Sequence, residues 1–330
     1  MPEVAGVLTS TATITHLATV YYERVALSSL RKVFHFSKLA DNRVMPRRNG
    51  KTVQFFRYSQ LGANTTATPE GETVVPGQTL TSTTLTATVA QYADFMSFSD
   101  MLVDTSIDDI VSAGADILGY RGGLSVDTIV RNEIDSVAAS IDVTPLDATS
   151  FSGADLAQVR ARLAGIDVKP FANGYFRALA HPFVLYDFIN DPTAGGFQDI
   201  VKTLAGANGQ MDRFFTLEDR GMVAKFASVE MWESTNVTVV AGSPNKYRVY
   251  IAGQEALSTI DLEGRGPSRT MDQDKSPFSL TVLRDIPVGP ANPEGKIKAL
   301  VSYNFVFVTK ILDTSPYRIR KIDVANSLGI

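Results

Sequence analysis

An α+β fold with a projecting arm is what this sequence predicts, and three observations predict it. An extended, turn-rich stretch runs from Pro46 to Phe98, a helical pattern fills Ser106–Ile141, and helix and strand patterns alternate beyond it. A two-stranded arm is marginal in water by itself. An arm followed by so long a helix has more surface than one small core covers, which points to neighbouring copies of the chain as the cover.

The totals permit this reading. A chain of 330 residues, 44% of them hydrophobic, can bury one large core or two. A charged fraction of 20% with mean hydropathy +0.02 argues against bulk disorder. No apolar run approaches the roughly 18–20 residues that span a bilayer, so no membrane partner is expected. The segment Met1–Thr15 lacks the basic start and apolar stretch of a secretory signal. Without cysteine there is no disulfide framework, thiolate catalysis or Cys-based zinc site. Net charge is −4, and the 31 basic residues are scattered. The densest groups are Arg47-Arg48 and Arg318, Arg320, Lys321, too few for a strong nonspecific grip on nucleic acid.

Residues Met1 to about Val20 are rich in Thr, Ala and Ser and read as a mobile arm. The spacing of Val25, Leu30, Val33, Phe34 and Leu39 suggests a helix or packed connector across Tyr21–Leu39. Asn49-Gly50, a strong turn pair, leads into a β-rich run holding Phe55, Phe56, Arg57 and Tyr58. Leu61–Gln78, with glycines and prolines around Glu70 and Glu72, forms the flexible tip. On the way back, Leu85, Ala87 and Val89 alternate with Thr84, Thr86 and Thr88, the pattern of a half-buried ribbon. The return strand continues through Tyr92 to Phe98.

The period then changes. Thr105 and Ser106 are candidate caps, with Asp108 and Asp109 in the first helical turn. Ile110, Ile117 and Leu118 form one apolar stripe, and Val126, Ile129, Val130, Ile134, Val137 and Ile141 a second. Asp127, Arg131 and Asp135, each four apart, are expected on the exposed face. A continuous Ser106–Ile141 helix would be about 54 Å long at 1.5 Å per residue. Gly119, Gly122 and Gly123, each costing roughly 1 kcal/mol in a helix, predict a bend there. Ser152 caps a helix over Ala154–Ala164, the strand Tyr175–Ala180 leads into His181-Pro182, and a helix follows over Phe183–Asn190. A short helix is expected at Phe197–Leu204. Strands are expected at Met222–Phe226, Val237–Val240, Lys246–Ile251, Lys296–Lys310 and near Tyr317–Ile322, with connectors over Leu262–Pro277 and Ile286–Gly295.

The chemistry-bearing signals are weak. Asn49–Thr52 (NGKT) suggests a phosphate loop, but that motif wants glycine five residues before Gly50, where Met45 stands, and a strand follows instead of a helix. The Gly119–Gly123 segment reads as a helix bend in preference to a ligand loop. His16, His35 and His181 are dispersed, without carboxylates at metal-ligand spacing. No G-x-S-x-G elbow is present, and His181 before Pro182 suits a strand-to-helix junction. Asn64-Thr65-Thr66 and Asn236-Val237-Thr238 match glycosylation acceptors only at chance level. No catalytic, cofactor-binding or metal residue is assigned.

Several pieces together resemble one branch of the major capsid proteins of tailed bacteriophages. They are Arg48–Tyr58 (RNGKTVQFFRY), the Thr68–Val74 tip (TPEGETV), Thr84–Phe95 (TLTATVAQYADF) and Gly122–Ile134 (GGLSVDTIVRNEI). Further along come Tyr175–Pro192, Val223–Val237, Tyr247–Ile260 and Val301–Ile322. The resemblance implies the Hong Kong 97-like fold: an N-terminal arm (1–45), an extended β-hairpin loop (46–98), a peripheral domain (99–151 and 296–330) with a spine helix (106–141), and an axial domain (152–295). It implies a non-enzymatic subunit that assembles with itself, as hexamers and pentamers, into an icosahedral shell around double-stranded DNA held without sequence specificity. The location implied is the virion capsid, assembled in the host cytoplasm. A short N-terminal arm implies a separate scaffolding protein; a portal, and in some relatives a decoration protein, complete the partners. Inter-subunit contacts are expected at Arg47, Arg48, Phe55, Arg57, Glu70, Glu72 and Tyr92, and a spine-helix bend at Gly119, Gly122 and Gly123. The shell of a cellular nanocompartment is the alternative within the same fold, and a soluble hydrolase or binding module the alternative outside it.

Overall fold

The computed structural model describes residues 35–59, 61–65, 67, 70–71, 77–136, 151–191, 222–263, 279–284, 286, 288–290, 293–312 and 318–325. After a 3-10 turn at Phe36–Leu39 come β1 (Asp41–Met45), β2 (Thr52–Tyr58), β3 (Ser82–Thr88), β4 (Ala90–Ser99), α1 (Asp100–Thr105), α2 (Ile110–Ser136), α3 (Gly153–Gly165), β5 (Phe176–Ala180) and α4 (Pro182–Ile189). The chain continues through β6 (Met222–Phe226), β7 (Val229–Glu233), β8 (Val239–Val240), β9 (Lys246–Ala252), β10 (Leu257–Leu262), β11 (Ser279–Arg284), β12 (Ile297–Ile311) and β13 (Ile319–Ala325). The expected arm over Met1–Val20, most of the Tyr21–Leu39 segment, Val137–Ile141 and the Phe197–Leu204 helix lie outside the described residues.

Two sheets and one helix organise the chain. β12 is the axis of the first sheet: β4 pairs along one edge, while β11 and then β10 share the other, and β1 adds in parallel beyond β10. Along β12, Ala299, Val301, Tyr303, Phe305 and Phe307 are buried, and the alternation marks a strand with one covered face. Their partners on β4 include Phe98, Met96, Asp94 and Tyr92. Phe98 and Met96 face Gly114 of α2, and Asp94 pairs with Arg121 at 3.0 Å, so α2 is the cover. The second sheet runs β13-β9-β5-β7-β6, with β8 beside β9. Packing of Phe188 on Phe151 and Phe226 ties α4 to the rest of this half. Buried side chains from both sheets and α2 form one continuous core.

β10 and β11 join β12 and β4, while β13 joins β9 in the other sheet. β1, β10 and β11 are strands where the sequence pattern gave no expectation of one. Ser152 caps α3 as expected, in a capping box with Asp155. His181 accepts the Phe183 N–H through Nδ1, with Pro182 at the first position of α4.

The long helix departs from expectation in two ways. It begins at Ile110, because Ser99 caps a separate short helix, α1, that ends at Ser106. Asp108 and Asp109 therefore precede α2, and Asp109 Oδ1 receives the Ser112 N–H at 3.3 Å. Gly119, Gly122 and Gly123 lie buried within α2, which continues through them without a break. Three glycine penalties of roughly 1 kcal/mol are outweighed by burial of Val111, Leu118, Val126, Val130 and Ile134, each contributing about 1.5–3 kcal/mol. Of the first stripe, Leu118 is buried and Ile117 is not. Finally, Asp127 is buried and Arg131 and Asp135 are half-buried; these three were expected to be exposed. Their spacing is shared with Val126, Val130 and Ile134, one residue earlier on the helix, so the acidic edge borders the apolar stripe.

Close approach of α2 to β4 depends on Gly114. A Cβ built there would lie 2.4 Å from Phe98 Cζ and 3.1 Å from its Cε2. Gly114→Ala should therefore lower stability by about 1–3 kcal/mol in urea unfolding of the unassembled chain; an unchanged midpoint would mean that Phe98 moves without cost.

Candidate assembly surface

β2 and β3 form a ribbon in strict register, from Thr52 opposite Thr88 to Tyr58 opposite Ser82. Backbone bonds close the ladder at both ends: Val89 N donates to Lys51 O at 3.0 Å at the base, and Ser59 N donates to Thr81 O at 2.9 Å at the outer end. The expected alternation holds at the base. Ala87 is buried against Met45 and Ile260, with Val53, Phe55, Val89, Leu262 and Val308 packed around them. The return strand is divided, however: β3 belongs to the ribbon and β4 to the first sheet, with only Val89 between them. The opposite ribbon face carries the threonines together with Phe56 and Tyr58, which are 63% and 62% exposed. Leu61 and Leu80 are exposed just beyond the paired strands.

The residues expected at contacts fall into separate settings. Arg47 donates through Nε to Glu263 O at 2.7 Å, at the point where β1 gives way to the ribbon. Arg48 is exposed with φ +67, and Gly50 follows at φ +84, so the Asn49-Gly50 turn is real and leads to a strand, with no phosphate-loop helix behind it. Phe55 is half-buried beneath the guanidinium of Arg43, whose carbon lies 5.1 Å from the ring centre. Arg57 is exposed on the ribbon, and Glu70 is exposed at its far end, while Glu72 lies outside the described residues. Tyr92 is half-buried and stacks on Phe305 within the chain, ring centres 5.3 Å apart. Phe55 and Arg57 share a concavity: a cavity of about 390 Å³ lined by Arg43, Gln54, Phe55, Phe56, Arg57, Leu85, Glu255, Leu312 and Arg318. Arg43, Glu255 and Arg318 come from three distant segments, so nothing in local sequence spacing could have joined them to the ribbon.

A polar network runs along one edge of α2. Asp127 Oδ1 accepts the backbone N–H groups of His35 and Phe36 at 3.0 and 2.7 Å, and its Oδ2 accepts Asn236 Nδ2 at 3.2 Å. Arg131 donates to both the backbone oxygen and Oδ1 of Asn236. One turn on, Asp135 receives Arg248 at 2.9 Å, together with the hydroxyls of Thr238 and Tyr250. Arg248 completes a two-pronged pair with Asp323 of β13. The Asp323 and Asp135 bonds hold the guanidinium above its usual pKa against the cost of burial; burial lifts the Tyr250 hydroxyl in turn.

The fold and this arrangement define a class before any particular relative. The chain has the Hong Kong 97-like fold, which solved phage capsid proteins share. No family model matches the sequence, and no curated protein matches it. Solved structures do. The capsid of Ralstonia phage GP4 is 14% identical, with 88% of this chain and 87% of that one covered at a TM-score of 0.61. The capsid of cyanophage P-SCSP1u is 13% identical, covering 89% and 88% at 0.56. The SrpI encapsulin of Synechococcus elongatus PCC 7942 is 10% identical, covering 90% and 89% at 0.53. At such identities the likeness is one of fold.

Asp127 supplies a pH test of the network. Burial raises its pKa from 3.8 to about 6, against the opposing pull of the Phe36 N–H, Asn236, the His35 N–H and the Arg131 charge. The folded chain thus keeps a proton that the unfolded chain has released. The stability this gives is fully present below about pH 3.8 and is lost as pH rises through about 6. Asp127→Asn keeps an acceptor for the two N–H groups and cannot titrate. Between pH 4 and 7 the wild-type chain should lose about 2 kcal/mol relative to this variant, read from urea midpoints at a series of pH values. Parallel curves would show that Asp127 does not titrate in this range.

Proposed function

We propose that this chain is the major capsid protein of a tailed bacteriophage, a subunit that assembles with its own copies into a closed shell around double-stranded DNA. The observation that carries the reading is the ribbon: two strands that leave the first sheet with aromatic side chains exposed on one face. Exposed apolar surface of this kind marks an interaction site. The shared fold with phage capsid subunits, over 88% of the chain in the Ralstonia phage example, supplies the type of partner.

In this reading the ribbon, within residues 46–98, reaches over a neighbouring copy. α2 is the spine of a peripheral domain, and much of 152–295 forms the axial part around fivefold and sixfold positions. The chain acts mechanically, without catalysis, and its place is the virion capsid. A scaffolding protein, a portal and a decoration protein are the remaining partners this reading carries. A net charge of −4 suits a wall that surrounds DNA without pinning it.

The likeness to an encapsulin favours one second reading, the shell of a cellular nanocompartment. Electron microscopy and nucleic-acid assay of purified particles separate the two. DNA-filled or DNA-competent shells support the phage; small shells of fixed size filled with protein support the compartment.

Deleting Leu61–Gln78 tests the ribbon directly. The shortened chain should keep near-native circular dichroism, because the ribbon base and both sheets remain, yet form no closed shells under the electron microscope. Normal shells from this deletion would remove the ribbon from the assembly contacts.

A further inference from the structure

Two exposed patches of opposite charge stand at the two ends of β4. Beyond its last residue, Ser99, the run Asp100–Asp109 holds four aspartates and no lysine or arginine. Apolar side chains stand uncovered among them: Met101 is 74% exposed and Ile107 fully so. Two lysines lie near this knob, and each has a carboxylate partner: Lys298 pairs with Asp104, and Lys296 with Glu294 at 2.8 Å. Asp100 and Asp108 remain exposed. At the other end, the turn before β2 carries Arg47, Arg48 and Lys51, all exposed, as are Val44 and Pro46 beside them. Glu263 adjoins this turn through its backbone oxygen, which accepts from Arg47, and sets one carboxylate against three cations. β4 keeps the two patches apart. Lys51 O accepts the Val89 N–H just before the strand begins, and Asp100 follows its end. Ten residues at 3.3 Å each place about 33 Å between them.

We propose that the Asp100–Asp109 knob of one copy docks on the Val44–Lys51 turn of a second copy. Ile107 then packs against Val44 and Pro46 while the aspartates meet Arg48 and Lys51. This rests on the shell reading and specifies one of its contacts. Apolar anchors ringed by polar and charged groups are the make-up of a protein contact. Charge identifies the occupant: knob repels knob and turn repels turn, so the pairing that electrostatics favours between copies is knob on turn. Ion pairs at such a rim are each worth little and are screened by salt, which leaves the contact reversible. A contact between two different patches is heterologous, and repeated through a rotation that closes, it makes rings.

The sequence contains no cysteine, so introduced ones report the contact without background. Full-length chains carrying both Asn49→Cys and Ile107→Cys, oxidised as assembled shells, should run as covalent multimers on a non-reducing gel. Either single variant should stay monomeric on that gel, and shells made from an equal mixture of the two should stop at dimers. Lys51→Glu and Asp108→Lys should each keep the wild-type circular dichroism. Each should raise the protein concentration needed for shells about tenfold at about 0.1 M salt, an effect that fades at about 1 M. Both changes in one chain should restore assembly. The cysteine pair leaves every charge in place and remains informative even if a charge-reversed chain misfolds. Multimers from a single variant, double-variant shells that stay monomeric on the gel, or crosslinks to a co-purifying protein in place of a second copy would overturn knob-on-turn docking. So would unchanged assembly in both charge variants. All of these leave the shell reading intact; a wild-type chain that forms no shells would overturn both.

Discussion

The carboxylate of Asp127 joins three segments that are far apart in sequence: the turn that begins the described chain, the middle of α2, and the loop before β8. A buried carboxylate is costly unless its oxygens are occupied, and here two backbone N–H groups and an amide occupy them. With the turn at Phe36–Leu39 fixed in this way, Phe36 packs edge-on against Tyr250 of β9 and Lys38 sits 3.3 Å above the Trp232 ring of β7. Arg177 of β5 closes the joint by donating to Lys38 O at 2.7 Å. The turn thus wedges between α2 and the second sheet, and β1 emerges from it already aimed at β10.

That aim positions everything on the outer side of the first sheet. β1 pairs in parallel with β10, which places Met45 beside Leu262 and gives the ribbon base an apolar seat on Met45 and Ile260. The helix, the turn, the first strand and the ribbon are consecutive links of one chain of contacts. One turn further along α2, Asp135, Arg248 and Asp323 repeat the device against β9 and β13. Removing one member of such a network leaves charge without its counterpart, which costs more than the network itself contributes.

Local patterns read well in the sequence and distant partnerships did not. The ribbon, α3 with its Ser152 cap, α4 behind His181-Pro182 and the long β12 each follow from period, cap or turn residues within a short window. The start of α2 was misplaced because Thr105, Ser106, Asp108 and Asp109 are all plausible caps, and the choice was made by Ser99, which begins a separate helix. Asp127 and Asp135 looked like an exposed ion-pair ladder with Arg131, since spacing alone cannot show that a sheet lies against that edge. Helical glycines signalled a weakness that burial of their neighbours outweighs. The crevice joining Arg43, Glu255 and Arg318 to the ribbon is a product of tertiary structure, beyond the reach of local pattern.

Val89 sits between two ladders that share one continuous run of chain. On one side β3 is committed to the ribbon; on the other, β4 is held along ten residues of the first sheet. The second limb, from Pro46 to Lys51, is a longer connection with two residues at positive φ. The ribbon is therefore mounted like a lever with a one-residue connection on one side and a longer one on the other. Any change in its angle must turn about Val89 and be absorbed between Pro46 and Lys51, leaving the ladders on either side intact. A chain built this way has only these two connections through which the ribbon's tilt against the first sheet is set.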